Sequence, residues 1–347
     1  MIEGFIMDHS TYAAIWFFLW GLLWAVYFAT DGFDLGVGMM LPFLGKTEED
    51  KRAMLKSVGP LWDGNEVWLI AAGGVTFAAF PRVYAVMFSS LYLPLMLILF
   101  GLIIRGVSFE FREKLDGAGW KKLWDACQCT GSLLPALLLG VAFANIFAGV
   151  PIDGEGAFHG TILTLLTPYG LLGGIFFILM FLLHGSLWLC AHTEGDLLAR
   201  SARTATILWP VTVLAFAAFA ALSFFATNLF ANFLAHPLLL AVPALGAAAA
   251  VSAMFCLKKE LYWRAWFSSG LFIICVTFFG IIGLFPDLFP SNMSPEFSIS
   301  TANGSSSLLT LKIMLGVALF FVPIVILYQA WAYRLFSKPG PSGEEGY

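Results

Sequence analysis

Two pairs of carboxylates lie in otherwise apolar stretches of this sequence. Asp31 and Asp34 belong to Thr30-Asp31-Gly32-Phe33-Asp34-Leu35-Gly36-Val37-Gly38, and Asp63 and Glu66 to Trp62-Asp63-Gly64-Asn65-Glu66-Val67-Trp68. Within each pair the spacing is three, which on a helix puts both acids on one face. An ionised side chain at the centre of a spanning helix costs roughly 2.5–3.5 kcal/mol, so four without relief would cost about 10–14 kcal/mol. That rivals the whole stability of a typical domain. No Lys or Arg stands inside either apolar run to neutralise them. Two forms of relief are then expected: a carboxyl held neutral by a proton, or a hydrated path from one surface. Both suit a proton relay. A Na⁺ site of carboxylates and unwound backbone is the rival, and interhelical hydrogen bonding is the plain structural alternative. Gly32, Gly36 and Gly38 let a neighbouring helix approach closely.

Other polar positions carry weaker signals. Asp125 follows Trp124 near the start of an apolar run and is expected to pair with Lys121, Lys122 or Arg105. Asn145, near the far end of that run, reads as a helix-to-helix hydrogen bond rather than a ligand. His184 is the histidine well inside a span, and two axial haem ligands would need a second at matching depth. No haem is therefore expected on this chain alone, and no metal site. Cys127, Cys129, Cys190, Cys256 and Cys275 fall in or beside apolar runs and read as small buried side chains, not as a disulfide framework. Phosphate loops, nucleotide fingerprints and Ser/His/Asp sets are absent.

The elements that must position the acids follow from composition. Of 347 residues, 60% are hydrophobic and 12% charged, about half the charged share of soluble domains. One core could not hide that apolar surface, but a bilayer can. A net charge of −4 shows no basic surface to attract nucleic acid. Apolar runs cover 12–30 (continuing toward 44), 58–79, 84–104, 123–148, 163–190, 205–227, 237–257, 265–286 and 308–333, predicting nine transmembrane helices. Basic residues alternate with them. Lys46, Lys51, Arg52 and Lys56 follow the first run, and Arg105, Arg112, Lys114, Lys121 and Lys122 the third. Arg200 and Arg203 follow the fifth, Lys258, Lys259 and Arg264 the seventh, and Arg334 and Lys338 the ninth. Only Arg82 and Lys312 fall on the other side. By the positive-inside rule the N-terminus lies outside and the C-terminus in the cytoplasm. The first ten residues hold acids and no Lys or Arg, so no cleavable signal is expected. The expected architecture is an all-α polytopic membrane protein, two four-helix bundles plus one extra helix. It forms a single membrane domain over 1–338, with a flexible cytoplasmic tail over 339–347.

With these residues in view, the sequence resembles subunit II of the cytochrome bd quinol oxidase family. The resemblance rests on the two acid-bearing segments, on Ala71-Ala72-Gly73-Gly74, on Arg105 and Phe109 through Arg112, on Gly131-Ser132-Leu133-Leu134-Pro135 and Gly140-Val141-Ala142-Phe143 with Asn145, and on Phe321-Val322-Pro323. It is dense over 20–150 and thinner afterwards. It implies a complex that oxidises quinol and reduces O₂ to water, in the bacterial inner membrane. Haems b and d would lie in the larger partner, subunit I, while this chain helps bring it cytoplasmic protons. The resemblance assigns the proton path to the positions matching Asp34 and Asp63. Asp31 and Glu66 carry no such assignment and are further candidates, and Arg105, Asp125 and Asn145 are candidate structural or interface residues. A small single-helix subunit and a quinone held against this chain are known of some relatives, and no motif here speaks for either. Rival functions are a secondary transporter coupled to H⁺ or Na⁺, which should show an inverted repeat, and a purely structural assembly subunit.

Overall fold

A computed structural model describes residues 8–336; the expected tail over 339–347 lies outside them. Nine long helices account for most of the described chain: α1 (His9–Leu44), α2 (Trp62–Ala79), α3 (Tyr92–Phe111), α4 (Ala118–Ala148), α5 (Pro168–His192), α6 (Gly195–Ala226), α7 (Ala241–Lys258), α8 (Tyr262–Leu284) and α9 (Leu308–Phe336). Eight of them are long and apolar enough to cross a membrane. The exception is α2, whose first turns hold Asp63, Asn65 and Glu66. Large apolar side chains along α3, α6 and α9 are exposed, the pattern expected where lipid or another chain replaces the interior.

Helix α1 is the axis of the fold, packed by α2, α4, α5 and α8. Asp8 caps its start, accepting from Thr11 N at 3.0 Å. The helix ends gather at two poles. At one pole ion pairs join the links between helices, and the short helix Glu48–Val58 lies there. A Thr47–Asp50 capping box and acids in the first turn stabilise that helix, and Arg200 Nη2 bonds Asp50 Oδ2 at 2.6 Å. We call this the basic pole. At the opposite pole the loops 149–167 and 285–307 pair with each other through Val150 and Ser291, and the second folds back on itself in a two-stranded piece, β1 (Asp287–Phe289) with β2 (Ile299–Ser300). In the first of these loops His159 hydrogen-bonds Asp153 and holds its carboxyl below the usual carboxylate range.

The third apolar run divides differently from expectation. Its first part is a short helix, Pro81–Ser90, and Leu91 breaks it from α3. Helix α3 then continues through Phe111, seven residues past the expected end at 104, so Arg105 lies inside the helix and not in a loop. The cause is local: Gly106 and Phe109, three apart, share the face against which Trp62 of α2 packs, its ring stacked flat on Phe109.

Two glycine crossings set the helix spacing around the acids. A Cβ on Gly36 of α1 would overlap the carbonyl oxygen of Phe181 on α5, so the two backbones touch. A Cβ on Gly131 of α4 would stand 2.9 Å from the backbone nitrogen of Arg105. In lipid such close packing replaces the missing hydrophobic drive between helices. Gly36→Ala should therefore lower the thermal midpoint of the detergent-purified protein, at a cost of about 1–3 kcal/mol from overpacking. Gly316→Ala on α9, where nothing approaches within 4 Å, should not lower it. Equal midpoints for Gly36→Ala and the parent would refute the crossing.

Candidate functional site

The buried acids are held where α1, α2 and α3 meet. Arg105 Nη2 donates to Asp31 Oδ1 at 2.6 Å and to Glu66 Oε1 at 2.6 Å. The side chains of Asp31 and Arg105 are 0% exposed, and that of Glu66 is 21% exposed. One guanidinium thus fastens three helices at one depth. The spacing of three on α1 places Asp34 one turn toward the basic pole from Asp31. Asp34 Oδ2 accepts from Asn65 Nδ2 at 2.7 Å. Asn65 Nδ2 also reaches Thr30 O at 3.3 Å, while its Oδ1 accepts from the Tyr333 hydroxyl of α9 at 2.7 Å. The result is a polar chain, Tyr333–Asn65–Asp34, beside the Arg105 cluster. Asp34 Oδ1, Arg105 Nε and Arg105 Nη1 are buried with no hydrogen-bond partner among the described residues. Buried polar groups are generally satisfied, by ordered water where protein does not suffice.

This arrangement corrects two expectations. The acids of α1 and α2 do have a basic counter-charge, supplied by α3, whose length hid Arg105 among the loop cations. The four carboxylates also do not all converge. Asp31, Asp34 and Glu66 gather around Arg105 and Asn65, whereas Asp63, in the first turn of α2, is exposed. Positions three apart still differ by about 60° around a helix axis, and Asp63, second residue of α2, falls on the exposed side of that arc while Asn65 and Glu66 turn inward. Asn65 and Tyr333 went unrecognised as site residues. Asn65 stands inside the acid-bearing segment and could have been singled out there; Tyr333 had no local signal.

A second charged cluster lies at the basic pole. Asp125 bonds Lys51 Nζ at 2.7 Å and Arg112 Nε at 2.6 Å. Arg112, itself buried, reaches Glu48 at 3.0 Å and Glu113 at 2.6 Å. The expected partners Lys121, Lys122 and Arg105 are therefore replaced, because Asp125 faces α3 and the helix Glu48–Val58; Lys121 sits nearer Asp116. Asn145 Nδ2 donates at 2.7 Å both to Val141 O in its own helix and to Leu165 O. It anchors the loop before α5 instead of bridging two spans.

The donor set does not fit a haem held by this chain. His184 has Nδ1 2.6 Å from Ser269 Oγ and Nε2 3.0 Å from Ala29 O, and its ring stacks on Trp266. His192 lies on the same helix, two turns on, with its ring stacked on Trp188, so the two cannot face each other across a macrocycle. Among the described residues no group of three His, Cys, Asp or Glu is arranged to hold a metal.

Residues 12–336 match the family described as cytochrome bd terminal oxidase subunit II. The chain is 38% identical to cytochrome bd ubiquinol oxidase subunit 2 of Bacillus subtilis, across 93% of this chain and 95% of that one. It is 34% identical to cytochrome bd-I ubiquinol oxidase subunit 2 of Escherichia coli, across 96% of each. Its fold resembles a chain of the bd oxidase from Geobacillus thermodenitrificans with a TM-score of 0.75 at 14% identity, covering 94% of this chain and 98% of that one.

Removing one partner of a buried ion pair costs about 3–5 kcal/mol. Arg105→Met should therefore sharply reduce the yield of folded protein. Adding Asp31→Asn and Glu66→Gln should restore much of it, because no uncompensated charge is then left behind. A normal yield for Arg105→Met alone would show that the cluster does not hold the helices.

Proposed function

The chain belongs to the cytochrome bd terminal oxidase subunit II family, and from that premise we propose that Asp34 and Asp63 help deliver cytoplasmic protons to the haem-bearing subunit I. The chain is one subunit of a quinol oxidase, an oxidoreductase role exercised in the complex. O₂ reduction consumes protons, and taking them from the cytoplasm while quinol protons leave outside builds a proton-motive force without a pump. The haems b and d belong to subunit I in this reading, which agrees with His184 having both ring nitrogens hydrogen-bonded within this chain. Quinol, lipid, a bound quinone and a small single-helix subunit are proposed associations only.

Topology supports the direction. The basic pole collects nearly all Lys and Arg, so it faces the cytoplasm by the positive-inside rule. Helix α2, of 18 residues and so about 27 Å long, is the ninth span despite its polar start. On this assignment α1–α4 and α5–α8 form the two four-helix groups, α9 is the extra helix, and the whole is one domain of the bacterial inner membrane.

The observation that carries the proposal is the contrast within the acid cluster. Asp31 and Glu66 are tied to a fixed cation and act as structural charges. Asp34 is equally buried but has no cationic partner: one oxygen meets an amide, and the other meets nothing in the described chain. A carboxyl so placed can gain and lose a proton without dismantling an ion pair. Asp63, exposed in the first turn of α2 on the side of the basic pole, is the entry station.

Asp34→Asn keeps the shape and removes the titrating oxygen. The complex should assemble with its usual haem spectrum and consume O₂ with quinol about 10- to 100-fold more slowly, at the lower end of what a lost proton donor or acceptor costs. Full turnover in that variant would leave the cluster a purely structural device.

A further inference from the structure

Asp34 lies well within α1, and protons from the basic pole need a polar route to it. Helices α3 and α4 run in opposite directions and in contact, and their buried polar side chains pair in rungs. At the basic pole Arg112 Nε bonds Asp125 Oδ1 at 2.6 Å. About one turn deeper, Ser108 Oγ donates to Gln128 Oε1. Deeper again, Arg105 lies against Gly131 and holds Asp31 and Glu66. On each helix the rungs recur at three or four residues, so they share one face. The ladder links the charged cluster at the pole to the buried acids.

The middle rung is incomplete on one side. The Gln128 side chain is buried, and its Nε2 has no partner among the described residues. A carboxamide nitrogen offers two hydrogens, and a buried donor is normally satisfied by water when protein does not reach it. This nitrogen is aimed at α1, standing 3.3 Å from where a Cβ on Gly38 would be. Gly38 is four residues from Asp34, about 6 Å along the same helix face. There the other orphan group waits, the acceptor Oδ1 of Asp34. A donor and an acceptor, both buried and both unmatched, thus flank Gly38, whose missing side chain makes room for the Ser132 hydroxyl of α4.

We propose that the Ser108–Gln128 rung is the cytoplasmic feed to Asp34, with Gln128 Nε2 ordering water that passes protons across Gly38 to Asp34 Oδ1. The amide exchanges no proton in net; one proton enters the water from the pole as another leaves it for the carboxylate. Gln128 is a positioning residue, Ser108 fixes its orientation, and Gly38 admits the Ser132 hydroxyl as a further polar group beside the path. The inference rests on Asp34 being a proton carrier.

The test uses the purified complex with its haem-bearing partner, assayed for quinol-driven O₂ uptake in H₂O and D₂O. Gln128→Leu should leave the haem spectrum unchanged and slow turnover about three- to tenfold, less than the loss of a titrating group. It should also enlarge the solvent isotope effect, which a merely structural change would not. Gln128→Met, whose unbranched chain fills a similar space, should behave alike and carries the test if the leucine variant fails to assemble. Because both residues serve one route, Gln128→Leu added to Asp34→Asn should slow turnover no further than Asp34→Asn alone. Unchanged turnover and isotope effect in the Gln128 variants, with Asp34→Asn slow, would overturn this feed and leave the Asp34 relay standing. Full turnover in Asp34→Asn as well would overturn both.

Discussion

The fold depends on a single guanidinium buried among spanning helices. Arg105 bonds Asp31 of α1 and Glu66 of α2 through one nitrogen, both at 2.6 Å. In lipid each of these groups alone would burden insertion by roughly 2.5–3.5 kcal/mol. Together they relieve one another, and losing Arg105 leaves both acids uncompensated. The three-way contact also sets register, since α1, α2 and α3 can satisfy it at only one relative height. An arginine suits this better than a lysine: its rigid fork holds direction as well as charge. The arithmetic of the site is as important as its geometry. One cation faces Asp31, Glu66 and the neighbouring Asp34, so charge balance there cannot be met by protein alone. Protons or water must complete it, and that incompleteness makes the cluster more than a fastening.

Close backbone packing makes the contact reachable. Gly36 brings α5 against α1, and Gly131 brings α4 against the Arg105 backbone. Larger residues at these positions would spread the helices and draw the charged ends apart. Glycine in a helix normally costs about 1 kcal/mol relative to alanine; here that loss is offset by contacts no other residue permits. Small residues and polar contacts therefore act as one system: the first sets the distance, the second uses it.

The acids, the apolar runs and the alternation of basic residues were all legible in the sequence, because each rests on local composition or on a short repeat spacing. The partners were not. Arg105 looked like a loop cation because hydropathy falls at its charge, although the helix continues through Phe111. Asp125 has potential partners nearby in sequence but bonds Lys51, 74 residues away. Tyr333 meets Asn65 across 268 residues. Periodicity reports which face a residue occupies, but not which helix faces it. The inward turn of Asn65 beside the outward turn of Asp63 depends on the angle at which α2 docks, and that angle is set by Trp62 on Phe109 and by α9.

Helix α9 shows why that docking matters. It buries little within the chain: Leu311 alone is fully covered, and Met314, Leu315 and Ala318 pack against the core, so apolar packing is concentrated in its first half. Its basic half is held by polar contacts to α2 instead. Gln329 accepts from Trp68 Nε1 and donates to Gly64 O, both at 2.9 Å, and Tyr333 donates to Asn65. In lipid such bonds average roughly 0.6 kcal/mol each, enough in combination to choose a position but not to lock it rigidly. The last of them ends on the same asparagine that holds Asp34. A peripheral helix is thereby wired to the one buried acid that lacks a cationic partner among the described residues. Whatever covers the exposed face of α9 in the complex bears on the hydrogen bonding of that acid through only two intervening side chains.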